Sequence, residues 1–310
     1  MGNNKVSVMM VFVCNPFIAI LQKRLYLKYW KAEVDEVLIN VNGRNDIIRK
    51  WIVDLWKDDK VKFIDEQNWE MRQGIAFNNL YPHITGDIVV TMDSDNFIFK
   101  TGVMAFNVNL ITKNGNDSVG SLGYHAYPNS VAKQAIEKYG TVRLNPFFAV
   151  FRKEILDKIP DLTFGTYNYE AGEDFPPLGK ISAKGWMDVM AKVSLEFLYR
   201  SSRFVRIPIA RDDEYMHVGA ISSIYRRTYR ALEDENTQVF VQTSDVKQQA
   251  YYLGWYQYIY NLTKAEVPFE EYKKEYEKGF ETEVSCQNLK MVDVWNLAVS
   301  LGKKYKGKLD

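Results

Sequence analysis

Asp93, Ser94 and Asp95 set two carboxylates two residues apart, at the end of the apolar run Ile88-Val89-Val90-Thr91-Met92. Paired carboxylates are hard oxygen ligands suited to Mg²⁺ or Mn²⁺, and such a cation in turn suits a diphosphate. With 20 Asp among 310 residues, about one such pair arises by chance, so position must carry the argument. An Asp-rich turn is the plain alternative. His217 is one of three histidines and is followed by Gly219, Ala220, Ser222 and Ser223, small residues that let a phosphate approach closely. An imidazole can complete the shell of a borderline cation such as Mn²⁺. Asp188 opens the helical pattern of residues 189–199, as an N-cap or as a general base for an acceptor hydroxyl. Glu173 and Asp174 form a second acidic pair within a Tyr-, Gly- and Pro-rich stretch.

The elements that position these residues alternate along the first 100 residues. Strands are predicted at 5–13, 36–41, 61–64 and 87–92, and helices at 17–30, 46–56 and 69–80, with Asp46 as N-cap of the second. Strands alternating with helices imply βαβ units and a mostly parallel sheet. Right-handed crossovers put the four strand C-termini on one edge, where open α/β sheets bind ligands. Asp93 and Asp95 fall there. Further on, residues 144–151 have strand character, 153–158 continue as a helix, 161–180 read as a loop, and 204–209 as a strand. Residues 100–225 are otherwise less regular. The last 80 residues carry long helical patterns at 244–262, 269–280 and 288–301. The boundary is placed near Arg226–Arg230, giving domains 1–225 and 226–310. The aromatic stripe Tyr251, Tyr252, Trp255, Tyr256, Tyr258 and Tyr260 suits a core or a homo-oligomer interface.

At this point the chain resembles the GT-A fold glycosyltransferases, close to the family 2 pattern. The resemblance rests on Asp93-Ser94-Asp95 after a strand, on Asp188 at a helix start, and on His217 after a further strand, 29 residues later. Residues 144–152 also resemble that family's segment before the acceptor loop. The likeness spans about residues 5–225, and order and spacing carry it. It implies an α/β, GT-A (Rossmann-like), mostly parallel sheet flanked by helices, here with a C-terminal helical extension. It further implies a metal-dependent, inverting glycosyltransferase that moves a sugar from a nucleotide-sugar, UDP-sugar favoured, to an acceptor hydroxyl. Asp93, Asp95 and His217 would hold Mn²⁺ or Mg²⁺, with Asp93 also facing the donor. Asp188 would be the base, and Glu173 or Asp174 the second choice, because a helix and a strand must fit between base and His. Asn15, Asn42 and Arg44 follow the first two predicted strands and could reach the nucleotide; Arg72 could reach a phosphate. For these four a surface or capping role is the alternative.

Composition bounds the rest. The chain is 46% hydrophobic with 40 basic against 39 acidic residues, which favours a buried core over disorder and over a wholesale polyanion binder. Cys14 and Cys286 cannot make a disulfide framework. No run reaches the ~20 apolar residues of a membrane span, and neither a signal peptide nor a myristoylation pattern is expected, so the cytoplasm is the expected location. Seven arginines between Arg200 and Arg230, interleaved at the end with Tyr225 and Tyr229, suit an acidic glycan, a lipid-linked sugar or DNA with hydroxylated bases as acceptor. A solvated helix face is the alternative. A sugar-nucleotide pyrophosphorylase would share the sheet and carboxylates, but it needs a Gly-rich loop where this chain reads Cys14-Asn15-Pro16-Phe17. A catalytically inactive sugar-nucleotide-binding module is the third reading.

Overall fold

The computed structural model describes residues 4–13, 16–42, 46–64, 73–123, 130–201, 203–208 and 214–217. The predicted C-terminal helices, and the boundary near Arg226–Arg230, lie outside these residues. The elements run β1 (Val6–Val13), α1 (Pro16–Leu25), β2 (Glu36–Asn42), α2 (Asp46–Leu55), β3 (Val61–Phe63), α3 (Gln73–Leu80), β4 (Ile88–Asp93), β5 (Asn96–Ile98), α4 (Val103–Thr112), β6 (Ser118–Gly123), α5 (Ser130–Tyr139), β7 (Arg143–Arg152), α6 (Lys153–Leu156), β8 (Tyr167–Tyr169), β9 (Asp174–Phe175), β10 (Gly179–Lys180), β11 (Gly185–Met187), α7 (Ala191–Arg200), β12 (Phe204–Arg206) and β13 (Tyr215–His217).

Seven strands form one sheet in the order β12-β6-β7-β4-β1-β2-β3. β1 pairs in parallel with β2 and β4, β2 with β3, and β12 with β6, while β7 alone runs antiparallel between β4 and β6. The fold is therefore α/β with a mostly parallel sheet. Both faces are covered, which explains the near-continuous apolar strands. Alternation along each strand sorts the core into two layers. Val8, Met10 and Phe12 of β1, with Val90 and Met92 of β4, pack against Ile18 and Leu21 of α1 and Ile48 and Ile52 of α2. Met9, Val11 and Val89 pack on the other side against Ala76 and Phe77 of α3 and Val193 and Phe197 of α7. Ile48, Ile52 and Trp56 recur every four residues on one buried stripe of α2 and its end. Gly74 in α3 is required by this packing. A Cβ there would lie 2.5 Å from both the Gly165 Cα and the Phe164 carbonyl oxygen.

The alternating first half of the sequence reading holds, to within a few residues at element ends, with residues 69–72 of the third expected helix outside the described residues. The middle holds more structure than the sequence suggests. α4, β6 and α5 occupy residues 103–112, 118–123 and 130–139, and β8, β9 and β10 turn the expected loop of 161–180 into short hairpins. α1 ends at Leu25 and passes into a wider helical turn, Tyr26–Trp30. Asp46 is the first helical residue, ion-paired to Arg49 at 3.5 Å, rather than the residue before the helix. No helix among the described residues is long and apolar enough to cross a membrane.

A buried carboxylate ties the N-terminal edge of the sheet. Glu36 accepts from the Ser7 hydroxyl at 2.6 Å, the Thr85 amide at 2.7 Å and the Lys62 ammonium at 2.7 Å. Burial alone would raise its pKa, but these three donors outweigh burial and hold it at about 2, against an ordinary 4.5. A depressed carboxylate stabilises the fold above its unfolded pKa and loses that contribution as pH falls towards the folded value. Urea denaturation of the wild type should therefore weaken between about pH 4.5 and 2. Glu36→Gln should cost roughly 1–3 kcal/mol at pH 7 and show a flatter acid limb. An unchanged acid limb would refute the assignment.

Candidate active site

The strand order reverses between β1 and β4. The chain steps from β1 to β2 and β3, then returns to the other side of β1. At such a switch point the C-terminal strand edge opens a crevice. Asp93 is the last residue of β4, in register with Val11 of β1. Ser94 and Asp95 form the turn that follows, and β5 leaves the sheet to pair antiparallel with β13. That pairing sets His217 opposite Asn96 and so beside Asp95.

Asp93, Asp95 and His217 each offer a ligand atom, all within 4.8 Å of one another. The His217 Nε2 lies 3.3 Å from Asp95 Oδ1 and 3.7 Å from Asp93 Oδ2. The imidazole stacks on Phe147 of β7, with ring centroids 4.2 Å apart and planes 13° apart. Gln73, the first residue of α3, donates from Nε2 to Asp93 Oδ1. Burial, and then the neighbouring Asp95 charge, push the Asp93 carboxyl well above the ordinary range. For His217, burial works downwards, but the Asp95 and then Asp93 carboxylates outweigh it and raise the pKa. A divalent cation would relieve the repulsion between the carboxylates. Two carboxylates and one imidazole also fit the donor preferences of Mn²⁺, and of Mg²⁺ less closely. The residues fit the expected metal.

Asp188 stands on the same side of the sheet, tied by Arg143. Arg143, the first residue of β7, donates from Nη1 to Asp188 Oδ2 at 2.9 Å and to the Val189 carbonyl at 2.9 Å. Asp188 Oδ1 accepts from the Val189 amide at 2.8 Å. α7 begins only at Ala191, after Met190 at φ 69°, so the Asp188 carboxylate stands ahead of the helix instead of capping it. The Arg143 charge also acts on Asp93, pulling its pKa back down. One guanidinium thus links Asp93 and Asp188 electrostatically.

The other candidates are placed as follows. Asn42 ends β2, buried, on the same strand edge as Asp93. Glu173 and Asp174 belong to the hairpin region. Glu173 accepts from the Tyr167 hydroxyl at 3.4 Å and the Glu170 amide at 3.0 Å, and Asp174 is exposed in β9. Neither belongs to the Asp93, Asp95, His217 group. Asn15, Arg44 and Arg72 lie outside the described residues, as do Gly219, Ala220, Ser222 and Ser223. Sequence reading missed Gln73, Arg143 and Phe147. Arg143 immediately precedes the segment that resembled the family, so its charge at a strand start was the available signal.

No family model matches the chain, and no curated protein matches it. Similar solved structures include the mannosyltransferase PcManGT from Pyrobaculum calidifontis in complex with GDP-Man and Mn²⁺, at 13% identity and TM-score 0.47, covering 98% of this chain and 86% of that one. S. aureus TarS, residues 1–349, matches at 13% identity and TM-score 0.45, covering 97% and 80%. M. tuberculosis glucosyl-3-phosphoglycerate synthase matches at 17% identity and TM-score 0.38, covering 51% and 60%.

Mn²⁺ added to the metal-free protein should raise its melting temperature. Asp95→Ala should abolish that rise, and His217→Ala should reduce it. Asp188→Ala should preserve it, since Asp188 is not among the three ligands. A rise that survives Asp95→Ala would place the ion elsewhere.

Proposed function

We propose that the protein is a glycosyltransferase of the GT-A type, moving a sugar from a nucleotide-sugar to an acceptor hydroxyl with inversion. The observation that carries this reading is the cluster of Asp93, Asp95 and His217 at the switch point of the sheet, with Asp188 held nearby by Arg143. A cation bound there supplies Lewis-acid neutralisation of charge on a leaving diphosphate. Asp93 and Asp95 hold that cation and are held in turn. Gln73 fixes one Asp93 oxygen, and Phe147 fixes the plane of His217.

Asp188 takes the proton of the acceptor hydroxyl. The acceptor oxygen forms a bond to the anomeric carbon, and the bond to the diphosphate oxygen breaks with its electron pair. Asp188 Oδ2 accepts from Arg143 and Oδ1 from the Val189 amide, which holds the carboxylate in one orientation. The Arg143 guanidinium is also the countercharge to that carboxylate in its charged, proton-accepting form. Glu173 and Asp174, in the hairpin region, are the second choice for the base. Asn42 faces the donor from the end of β2. We favour a UDP-sugar as donor and a glycan or lipid-linked sugar as acceptor.

The test is a panel of UDP-, GDP-, CMP- and dTDP-sugars, each with Mn²⁺ or EDTA, read by thermal shift and nucleotide release. One nucleotide class should stabilise the protein in a metal-dependent way. Silence across the panel would end the reading. With the donor known, Asp188→Asn should lower kcat by about 10²–10⁴-fold while donor KM stays within a few-fold. A loss confined to KM would remove Asp188 from the base role.

A further inference from the structure

The ladder that delivers His217 also delivers a polar group with no visible purpose. β5 and β13 pair Asn96 with His217, Phe97 with Met216 and Ile98 with Tyr215. One step further, the Phe99 amide donates to the Glu214 carbonyl at 2.8 Å. Hydrogen-bonded and non-hydrogen-bonded pairs alternate along an antiparallel ladder. Phe99 and Glu214 are a bonded pair, so three steps along Asn96 and His217 are a non-bonded pair. In such a pair the two side chains share a face and approach most closely. The Asn96 carbonyl accordingly bonds elsewhere, accepting from Gln22 Nε2 of α1 at 2.9 Å.

The Asn96 side chain is fully buried, at 0% exposure. Neither its Oδ1 nor its Nδ2 has a hydrogen-bond partner among the described residues, and the Gln22 Oε1 beside it has none either. Buried amides are almost always satisfied, and an orphan calls for an explanation such as an ion or a water. Here the orphan directly follows Asp95 and shares a face with His217. Three protein ligands leave a six-coordinate Mn²⁺ or Mg²⁺ short of a full shell, and such ions keep several waters. A water on the cation has hydrogen atoms to give and no other acceptor assigned to it.

We propose that Asn96 is a positioning residue of the metal centre, its Oδ1 accepting a hydrogen bond from a water carried by the cation that Asp93, Asp95 and His217 hold. The inference rests on the metal-centre reading and extends it to a residue outside the Asp-x-Asp and His pattern. It accounts for a buried carboxamide that would otherwise weaken the ladder holding His217. Ordering that water fixes one coordination position and so raises cation affinity.

The experiment uses the full chain and Mn²⁺ alone, titrated by electron paramagnetic resonance, with melting in EDTA as control. Asn96→Leu, of similar size and apolar, should bind Mn²⁺ about 10-fold more weakly. In EDTA it should melt at or above the wild-type temperature, because an unsatisfied amide has been removed. Asn96→Asp keeps the oxygen and adds a charge. It should melt lower in EDTA, bind Mn²⁺ at least as tightly as wild type, and regain stability when Mn²⁺ is added. These opposite signs separate a metal-centre role from a packing role. Wild-type Mn²⁺ affinity in Asn96→Leu, or equal weakening in both variants, would overturn the inference. Failure of the wild type itself to bind Mn²⁺ would instead overturn the metal reading from which it starts.

Discussion

A buried and a half-buried carboxylate side by side repel each other, and much of the molecule around Asp95 and Asp93 meets that repulsion. The cost shows in the Asp93 carboxyl, whose pKa is raised by burial and by its neighbour. Three features act against it. Gln73 donates to Asp93 from the first turn of α3. His217 stands within 3.7 Å of both acids. Arg143 contributes a full positive charge from β7. None of the three is local in sequence to the acids. Each is brought by a separate crossover, so the site exists only when the sheet and its ladders are complete.

The direction of β7 matters most in this delivery. A strand running antiparallel to β4 presents its N-terminal end at β4's C-terminal edge. β7 therefore brings Arg143 to the crevice and leaves Arg152 at the opposite edge, in register with Ile88. A parallel strand in the same slot would exchange the two arginines. Phe148 pairs with Met92, so Phe147 falls near the end of β4, where it takes the face of His217. The same reversal allows one guanidinium to serve Asp188 and Asp93. Asp188 reaches it through the positive-φ step at Met190, which ends the chain's extended run just before α7.

What could be read from the sequence follows from what each signal needs. β1, β2 and β4 are apolar on both faces, and α2 carries a clean i, i+4 stripe, so local pattern sufficed. The Asp-x-Asp position was legible because its strand was. α4 hid because it is apolar around much of its circumference, with Phe106 exposed at 52%, so no stripe marks it. β6 reads Ser-Val-Gly-Ser-Leu-Gly, poor in β-branched residues. It is a strand because β7 and β12 flank it, a tertiary cause. The meeting of His217 with Asp95 was expected from family order alone, since it depends on a three-residue ladder that no periodicity announces. Arg143 and Gln73 were missed for the same reason. Their meaning lies in partners 45 and 20 residues away.

The two edges of the sheet treat the same chemistry in opposite ways. Glu36 and Asp93 are both carboxylates at strand ends, and both pay for removal from water. At the N-terminal edge Glu36 meets a hydroxyl, an amide and an ammonium within 2.7 Å, and its charged form is favoured. At the C-terminal edge Asp93 meets one amide donor and the charges of His217 and Arg143, but burial and the Asp95 carboxylate outweigh them, and its charged form is disfavoured. Burial acts upwards on both; at Glu36 three donors outweigh it, whereas at Asp93 the neighbouring Asp95 charge adds to it. A satisfied carboxylate holds β1, β2 and β3 in register, whereas an under-satisfied one leaves coordination capacity unspent. Divided in this way, a single sheet can be stable at one end while the other remains ready to take up charge.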